Sequence, residues 1–402
     1  MRILTVTTFF PNSANRHRTV FVKNLVHAMQ QYLPVSVVAP IPYAPPIRRM
    51  PQWYVQSQIG RVERVDEIEV LHPRFLVVPR LDWLSGFSYF LGVLQVVRQL
   101  KHDYGSCLIH AHCAYPDGVG AGLIARTLRL PYAVTVHGSD INVYATYRTL
   151  RRQIHWALTN ADGVITVSRD LEAKVTQLTG GAVKRLKYIP CAGFDPAVFY
   201  LRSATEYRAD LDIPKEARIV VFVGLLVPIK GVDLLIEAWA MLCHRRIVGD
   251  ADRLVIIGDG NCRPDLESRV KAAGISTKVR FTGSIQQNDV SRWLATATLL
   301  CLPSHNEGTP NVVVEALANG IPVVATRVGG VPELLREGVN GMMVPPGAAS
   351  ALADTLALAL SRNWNRAQIA SSVQHLTWQT IAATNCGFLE SITSEARRVS
   401  VD

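Results

Sequence analysis

The sequence predicts an α/β protein of two similar domains, each with a mainly parallel β-sheet and helices on both faces. Its 402 residues are too many for one typical hydrophobic core and suit two domains of roughly 150–200 residues each. A composition of 49% hydrophobic and 18% charged residues is typical of a folded globular chain. In both halves, short apolar runs alternate with stretches of helical spacing, which indicates successive βαβ units.

The second half shows this alternation most regularly. Helical spacing is clearest at residues 232–242 and 312–318, each of which lies between short apolar runs. The predicted strands are residues 219–224, 254–258, 279–283, 299–303, 322–326 and 341–344. This pattern is typical of a Rossmann-like domain.

The first half repeats the pattern more loosely, with helices predicted at residues 20–31 and 87–100. A proline-rich stretch at residues 40–51 predicts an exposed loop. The apolar stretch 83–97 is too short and too polar for a membrane span, so it predicts an amphipathic buried helix. The predicted strands are residues 3–7, 35–39, 107–110, 132–137, 163–168 and 186–190.

Strand periodicity is lost over residues 191–214, which contain two X-Pro steps and predict the hinge between the domains. We therefore expect a first domain at residues 1–195 and a second at residues 196–376. Two such domains with facing strand ends would leave a cleft, and open α/β folds bind ligands at the carboxyl ends of their strands.

The formal net charge of +10 is the one unusual feature of the composition. A basic surface can bind nucleic acid, anionic lipid or phosphorylated ligands. No nucleic-acid reading motif accompanies the charge, so we expect no nucleic-acid partner. A solvated surface and an anionic membrane face both remain open as interpretations. The basic clusters of the first half are Arg16, Arg18 and Lys23, Arg48 and Arg49, and Arg61 and Arg64.

Seven cysteines are scattered singly, an odd number without a CxxC pair. This favours reduced thiols in a cytosolic protein over a disulfide framework or a zinc site. A predicted strand begins at the N-terminus itself, so we expect no secretory signal. The sequence therefore predicts a cytoplasmic protein, which its basic charge could place on the inner face of the cell membrane.

The segment of residues 302–322 is the richest in potential chemistry. A strand is predicted to end at Pro303, a polar loop follows, and a helix starts near Thr309. Thr309 is the predicted cap and Pro310 the first helical residue, while Gly320 with Pro322 would end the helix.

The start of this predicted helix would form an anion site, because unpaired backbone N–H groups and the helix dipole both attract negative charge. Glu307 precedes the site, and Glu315 lies about one and a half turns into the helix. A carboxylate at that depth could accept both hydroxyls of a ribose while the helix start holds a diphosphate. The alternative is that Glu315 is a solvated helix residue.

This arrangement resembles the E-x7-E signature of family-4 glycosyltransferases, which have the GT-B fold. Further matches to that family follow in order along most of the chain, at residues 110–118, 134–140, 161–168 and 328–333, and at Trp378. The resemblance implies two Rossmann-like domains with parallel sheets facing across a cleft. It also implies a helix at residues 377–400 that packs back on the first domain.

The resemblance implies roles for the matching residues. Glu315 would bind the donor ribose and Glu307 would contact the transferred sugar near the reacting centre. His137 would face the donor sugar across the cleft, although such a residue is often a structural histidine. Asp140 and His112 are possible contacts of the sugar or the acceptor.

Further donor contacts are expected in two loops. Residues 283–286, with Ile285, would select the nucleotide base. The helix start would contribute Gly308, Thr309, Asn311 and Val312.

Lys230 belongs to a second donor element at residues 223–231, which also offers Gly224 as a contact. A lysine there can neutralise a leaving diphosphate. A surface lysine at a helix start would oppose the dipole preference for anions, which favours a functional role. The sequence departs from the family at Leu225, where members often carry an arginine.

A second departure follows the first strand, where many members have a glycine-rich turn and this chain has a polar, basic stretch at residues 11–19. Arg16 or Arg18 could supply the missing cation at the diphosphate. The pair Gly258 and Gly260 predicts only a tight turn between a strand and a helix, because a third glycine is absent.

Together these features predict a retaining glycosyltransferase. It would transfer a sugar from a nucleotide-diphosphate sugar to a glycan or lipid-linked acceptor in surface polysaccharide or glycolipid biosynthesis. Retention and the lack of a required metal or other cofactor are implied by the resemblance alone. The alternatives are a nucleotide-sugar epimerase or sugar phosphorylase of the same fold, or a catalytically silent nucleotide-sugar-binding subunit.

Overall fold

The computed structural model describes residues 1–15, 19–203 and 205–399, so Arg16 and Arg18 lie outside the described residues. The chain divides into two compact units, Met1–Cys191 with Trp378–Asp402, and Ala192–Thr377. Each unit is an α/β structure with a predominantly parallel sheet, which confirms the predicted fold class.

The division between the units differs from the predicted boundary after residue 195, because residues 192–195 belong to the second unit. The Phe194 amide donates to the Leu376 carbonyl oxygen at 3.1 Å, and Phe194 forms a parallel bridge with Thr377. Ala192 and Phe194 are buried in the core of the second unit. The last helix, Trp378–Val399, packs against the helix Val20–Met29 of the first unit.

The first unit contains an eight-stranded sheet in the order β10-β9-β8-β7-β1-β2-β5-β4 and a small two-stranded sheet of β3 and β6. All neighbours in the large sheet are parallel except β4 and β5. The strands are β1 Arg2–Val6, β2 Val35–Val38, β3 Ile41–Pro42, β4 Val62–Val65, β5 Ile68–Leu71, β6 Arg74–Phe75, β7 Cys107–His112, β8 Tyr132–Val136, β9 Gly163–Thr166 and β10 Leu186–Tyr188.

The helices of the first unit cover both faces of this sheet. Strands β7, β8 and β9 are accordingly buried along their whole length. The helices are α1 Val20–Met29, α2 Pro51–Ser57, α3 Ser85–Tyr104, α4 Val119–Leu128, α5 Ser139–Asn142, α6 Arg148–Asn160, α7 Arg169–Thr179 and, from the end of the chain, α16 Trp378–Val399.

The loop predicted at residues 40–51 is in part wrong, since it contains β3 and the first residue of α2. Amides of Ile41 and Tyr43 donate to carbonyl oxygens of Pro73 and Phe75 at 2.9 and 2.7 Å. Pro42 lies between these two donors, where the pairing requires no N–H group, so a proline is tolerated in the strand.

The second unit contains a six-stranded parallel sheet in the order β13-β12-β11-β14-β15-β16. This is the doubly wound order, in which the direction of winding reverses between β11 and β14. Its strands are β11 Ile219–Val223, β12 Arg253–Ile257, β13 Val279–Gly283, β14 Leu299–Leu302, β15 Val323–Thr326 and β16 Gly341–Val344. Its helices are α8 Thr205–Arg208, α9 Val232–His244, α10 Arg263–Ala272, α11 Gln287–Thr296, α12 Asn311–Ala318, α13 Val331–Leu334, α14 Ala349–Ser361 and α15 Arg366–Ser371.

The reversal points determine where ligands can approach. Open parallel sheets bind ligands outside the carboxyl ends of the strands that flank the reversal. In the second unit these are β11 and β14, and in the first unit β1 and β7. Within the described chain, no helix is both long and apolar enough to cross a membrane.

Candidate active site

Two loops of the second unit leave the carboxyl ends of β11 and β14 and lie against each other. The His305 amide donates to the Ile229 carbonyl oxygen at 2.8 Å. Gly231 has a φ of 61°, and a Cβ atom there would lie 2.3 Å from the Pro303 carbonyl oxygen. A glycine is therefore required for this close approach.

The approach brings together Lys230 and Glu307, which the sequence predicts as separate site residues. Lys230 Nζ lies 2.7 Å from Glu307 Oε1, and the Ser304 hydroxyl donates to the same oxygen at 2.6 Å. The Glu307 side chain is only 8% exposed and that of Lys230 is 24% exposed. The two groups therefore form a largely buried ion pair at the point where the winding of the sheet reverses.

Gly329 and Gly330 support the loop that carries Glu307. Gly329 has a φ of 53°, and a Cβ atom there would lie 1.9 Å from the Glu307 carbonyl oxygen. The Gly330 amide donates to the Gly308 carbonyl oxygen at 2.6 Å. Sequence reasoning used this glycine pair only as a family match, although paired glycines shortly after a strand are a signal of close backbone approach.

Gly258 and Gly260 play a similar part beside β11. Cβ atoms at these positions would lie 1.9 Å from the Gly224 carbonyl oxygen and 2.3 Å from that of Leu226. The turn predicted from this glycine pair therefore also packs the loop after β12 against the loop that carries Lys230. Gly224 is itself held by an amide hydrogen bond to Ile257 at 3.0 Å.

Helix α12 begins at Asn311 and is capped by Pro310, so the prediction of Thr309 as cap and Pro310 as first helical residue is wrong by one position. Pro310 has an extended backbone with φ −78° and ψ 116°, and it accepts the Val313 amide at 3.2 Å. A proline satisfies the cap position because that residue needs no intrahelical N–H bond. The amides of Asn311 and Val312 begin the helix, and both residues are partly exposed.

Glu315 lies on α12, four residues after its first residue, and is partly buried. Burial raises the pKa of its carboxyl group to about 7, and a hydrogen bond from Gln287 Nε2 at 3.4 Å opposes that shift. The partial burial of Glu315 and its hydrogen bond with Gln287 argue against the alternative that Glu315 is a solvated helix residue. Gln287 begins α11 directly after residues 283–286, and Ile285 packs partly buried against the core.

Leu225, at the position where members of the family that the sequence resembles often carry an arginine, is 57% exposed. A different cation, Arg263, lies beside the loop after β13, with its Nη1 atom 3.3 Å from a Cβ built on Gly283. Its guanidinium pairs with Asp259 at 3.2 Å and Glu267 at 2.8 Å. Sequence reasoning missed Arg263, since its place depends on where α10 begins relative to β13.

The first unit carries three neighbouring histidines, two in β7 and one directly after β8. The Nδ1 atom of His112 lies 3.1 Å from Nε2 of His137, and the two ring planes differ by 15°. His110 Nε2 lies 2.8 Å from the Thr135 hydroxyl. His110 and His112 are fully buried, whereas His137 is partly exposed.

Burial favours the neutral form of all three histidines. It lowers the pKa of His110 to about 4 and that of His137 to about 3. The pKa of His112 falls well below its usual range, first through burial and then through the two neighbouring rings. Among the described residues, no group of three or more histidine, cysteine or acidic side chains could hold a metal ion.

Asp140 is fully buried, and its carboxylate accepts backbone amides rather than pointing at an open surface. The Ala114 and Gly138 amides each donate to it at 2.8 Å, and the Ile141 amide at 3.2 Å. Burial raises the pKa of this carboxyl group, while the amide bonds oppose the rise. Asp140 therefore ties the loop after β7 to the turn that follows His137.

Comparison with known proteins agrees with this organisation. A family model described as a glycosyl transferase 4-like domain matches residues 19–192, and one described as glycosyl transferases group 1 matches residues 203–375. The chain is 31% identical over 364 residues to TuaC of Bacillus subtilis strain 168, a glycosyltransferase named for teichuronic acid biosynthesis. The alignment covers 89% of this chain and 88% of TuaC.

Two solved structures share the fold. Sucrose-phosphate synthase from Thermosynechococcus elongatus is 20% identical, with a TM-score of 0.76 over 98% of this chain and all of that chain (100%). HepE from Anabaena, solved in complex with UDP, is 22% identical, with a TM-score of 0.72 over 97% of this chain and 100% of HepE. Taken with the family models and the alignment to TuaC, they show that the chain is a glycosyltransferase that belongs to family 4 and has the GT-B fold.

Proposed function

We propose that this glycosyltransferase transfers a sugar, with retention at the anomeric carbon, from a nucleotide-diphosphate sugar to a glycan or lipid-linked acceptor. The observation that carries the proposal is the grouping of Lys230, Glu307 and the start of α12 where β11 and β14 end. An ammonium group and two helix-start amides suit a diphosphate, and a carboxyl group one turn further suits ribose hydroxyls. The UDP bound to HepE supports this choice of ligand.

In the proposed reaction, Lys230 and the amides of Asn311 and Val312 stabilise the charge that develops on the leaving diphosphate. The diphosphate competes with Glu307 for the ammonium group of Lys230. The Glu307 carboxylate is thereby released and directed toward the transferred sugar. Glu315 accepts the ribose hydroxyls, and His137 contacts the sugar. This scheme uses no metal or other cofactor.

The proposed setting is surface polysaccharide or glycolipid biosynthesis in the cytoplasm, at the inner face of the cell membrane. The name of TuaC, which refers to teichuronic acid, supports a polysaccharide product. The net charge of +10 supports a membrane-proximal acceptor, since anionic lipids attract basic surfaces.

A thermal-shift screen against UDP-, GDP- and ADP-sugars tests the donor, because a ligand that binds only the folded state raises the unfolding temperature. With the stabilising donor, we expect a nucleoside diphosphate to appear only when an acceptor is present. Formation of the epimeric sugar from the donor without an acceptor would instead identify an epimerase. Donor binding without turnover across a broad acceptor panel would identify a silent binding subunit.

Replacing His112 with phenylalanine is expected to lower kcat/KM for transfer on the order of 10–100-fold, by analogy with the groups that orient metal-bound histidines. The reason is that the hydrogen bond at 3.1 Å between His112 and His137 fixes which ring nitrogen of His137 carries the proton. His112→Asn offers a polar atom near the lost Nδ1 and should recover part of the activity. Equal activity of both variants and the wild type would contradict this role.

A further inference from the structure

The first unit exposes a concentration of apolar side chains along residues 76–91. The exposed fractions are 60% for Leu76, 49% for Trp83, 54% for Phe87 and 59% for Leu91. The sequence predicts a buried amphipathic helix here, and α3 does bury one side, but Phe87 and Leu91 lie on its exposed side. Single exposed apolar residues are ordinary, whereas a contiguous group indicates an interaction site.

A second segment, residues 143–150, completes this apolar surface. A concave region of about 460 Å³ is lined from both segments and by Tyr115 and Pro116. The Gln153 side chain on α6 donates to the Trp83 carbonyl oxygen at 2.9 Å, which joins the two segments. The aromatic and aliphatic lining residues are Phe75, Val77, Trp83, Tyr115, Val143, Tyr144, Tyr147 and Leu150.

Arg80 lines this concave region, and three more exposed arginines follow its lining residues along the chain: Arg148, Arg151 and Arg152. The last three lie at the start of α6, where the helix dipole favours negative charge, so the helix itself gains nothing from them. No salt bridge within the described parts of the chain involves any of the four. Asp82 is the acidic residue of the lining.

We propose that this docking face, residues 76–91 and 143–152, binds the surface of an anionic lipid bilayer. Exposed tryptophan and tyrosine rings beside aliphatic residues suit the boundary between headgroups and acyl chains. The four arginines complement anionic headgroups, which attract basic residues near a membrane. The inference deepens the proposed function at the membrane. It rests on that function only for the reason why the protein would bind a membrane in the cell.

Vesicle flotation of the full chain tests the docking face. We expect binding to phosphatidylcholine vesicles that contain phosphatidylglycerol, weakening as salt is added, and little binding to phosphatidylcholine alone. Arg151→Gln with Arg152→Gln should weaken partitioning roughly 30-fold, the effect of removing two basic residues from a membrane surface. Trp83→Ser with Phe87→Ser should also weaken it, and to a similar extent at all salt concentrations.

Matched controls lie on the second unit. Leu358→Ser removes a side chain that is 59% exposed, and Lys215→Gln with Lys271→Gln removes two exposed charges. Both should float like the wild type. The thermal shift with a nucleotide sugar should be unchanged in the docking-face variants, which separates a failure of docking from a failure of the proposed donor site.

Two outcomes would overturn the inference. One is equal flotation of the wild type and both docking-face variants. The other is binding of monomeric dodecyl phosphate that depends on Trp83 and Arg80, which both line the concave region, without binding to vesicles. That result would assign the concave region to a single amphiphilic molecule instead.

Discussion

Lys230→Ala is expected to lower kcat/KM for sugar transfer on the order of 10²–10³-fold, the usual cost of removing one preorganised group that stabilises developing charge. The ammonium group of Lys230 lies 2.7 Å from Glu307, and in the proposed reaction it moves onto the leaving diphosphate. Its removal also leaves the Glu307 carboxylate, only 8% exposed, without its ionic partner. The variant should therefore lose both transition-state stabilisation and some folding stability.

The two effects can be separated with a double-mutant cycle. Glu307→Gln in the Lys230→Ala background removes the unpaired charge, so it should restore folding stability without restoring transfer. Urea unfolding measures the first quantity and steady-state kinetics the second. Lys230→Arg keeps the charge, and Lys215→Ala serves as a surface control. A Lys230→Ala enzyme with normal kcat/KM would remove Lys230 from the mechanism.

Glu315→Gln is expected to weaken donor binding about 10–100-fold and at the same time to stabilise the ligand-free protein above pH 7. A carboxylate accepting ribose hydroxyls makes charged hydrogen bonds, each worth about 1.5–3 kcal/mol. The stability effect has a separate cause, since burial raises the pKa of Glu315 from 4.5 to about 7. The folded protein therefore holds this proton more tightly than the unfolded chain does.

The direction of the pH dependence follows from that shift. The stabilising effect of the bound proton is complete below pH 4.5 and is lost as the pH rises through 7. Glutamine stays neutral, so the free energy of unfolding of the variant should exceed that of the wild type by about 1–3 kcal/mol at pH 8 and match it near pH 4. Urea unfolding at both pH values measures the difference, with exposed Glu237→Gln as the control. A wild type that is more stable than Glu315→Gln at pH 8 would contradict this interpretation.

The strands of the second unit are the feature that the sequence predicts best. Residues 279–283 and 341–344 agree with β13 and β16, three of the other strands differ by one residue at one end, and 254–258 is shifted by one residue relative to β12. The reason is physical: parallel strands covered on both faces, such as β14 and β15, become continuous apolar runs. The pairing of β3 with β6 was not predicted, because it depends on segments more than thirty residues apart.

The candidate site is predictable in its residue types and less so in its contacts. Glu307, Glu315 and Lys230 stand out because charged residues at strand ends and helix starts suit a nucleotide diphosphate. Their spacing does not reveal that Lys230 and Glu307, separated by 77 positions, form an ion pair. The hydrogen bonds from backbone amides to the Asp140 carboxylate could not be predicted either, since they depend on how the loops after β7 and β8 meet.

Hydrogen–deuterium exchange with and without saturating UDP, GDP or ADP would locate the donor site within the chain. If the diphosphate binds where β11 and β14 end, at least one of these nucleotides slows amide exchange in residues 224–231 and 303–315. Lys230→Ala should weaken that protection, and exchange in residues 76–91 should be unaffected. Protection by a nucleotide elsewhere in the chain, with exchange in residues 224–231 and 303–315 unchanged, would contradict the proposed donor site.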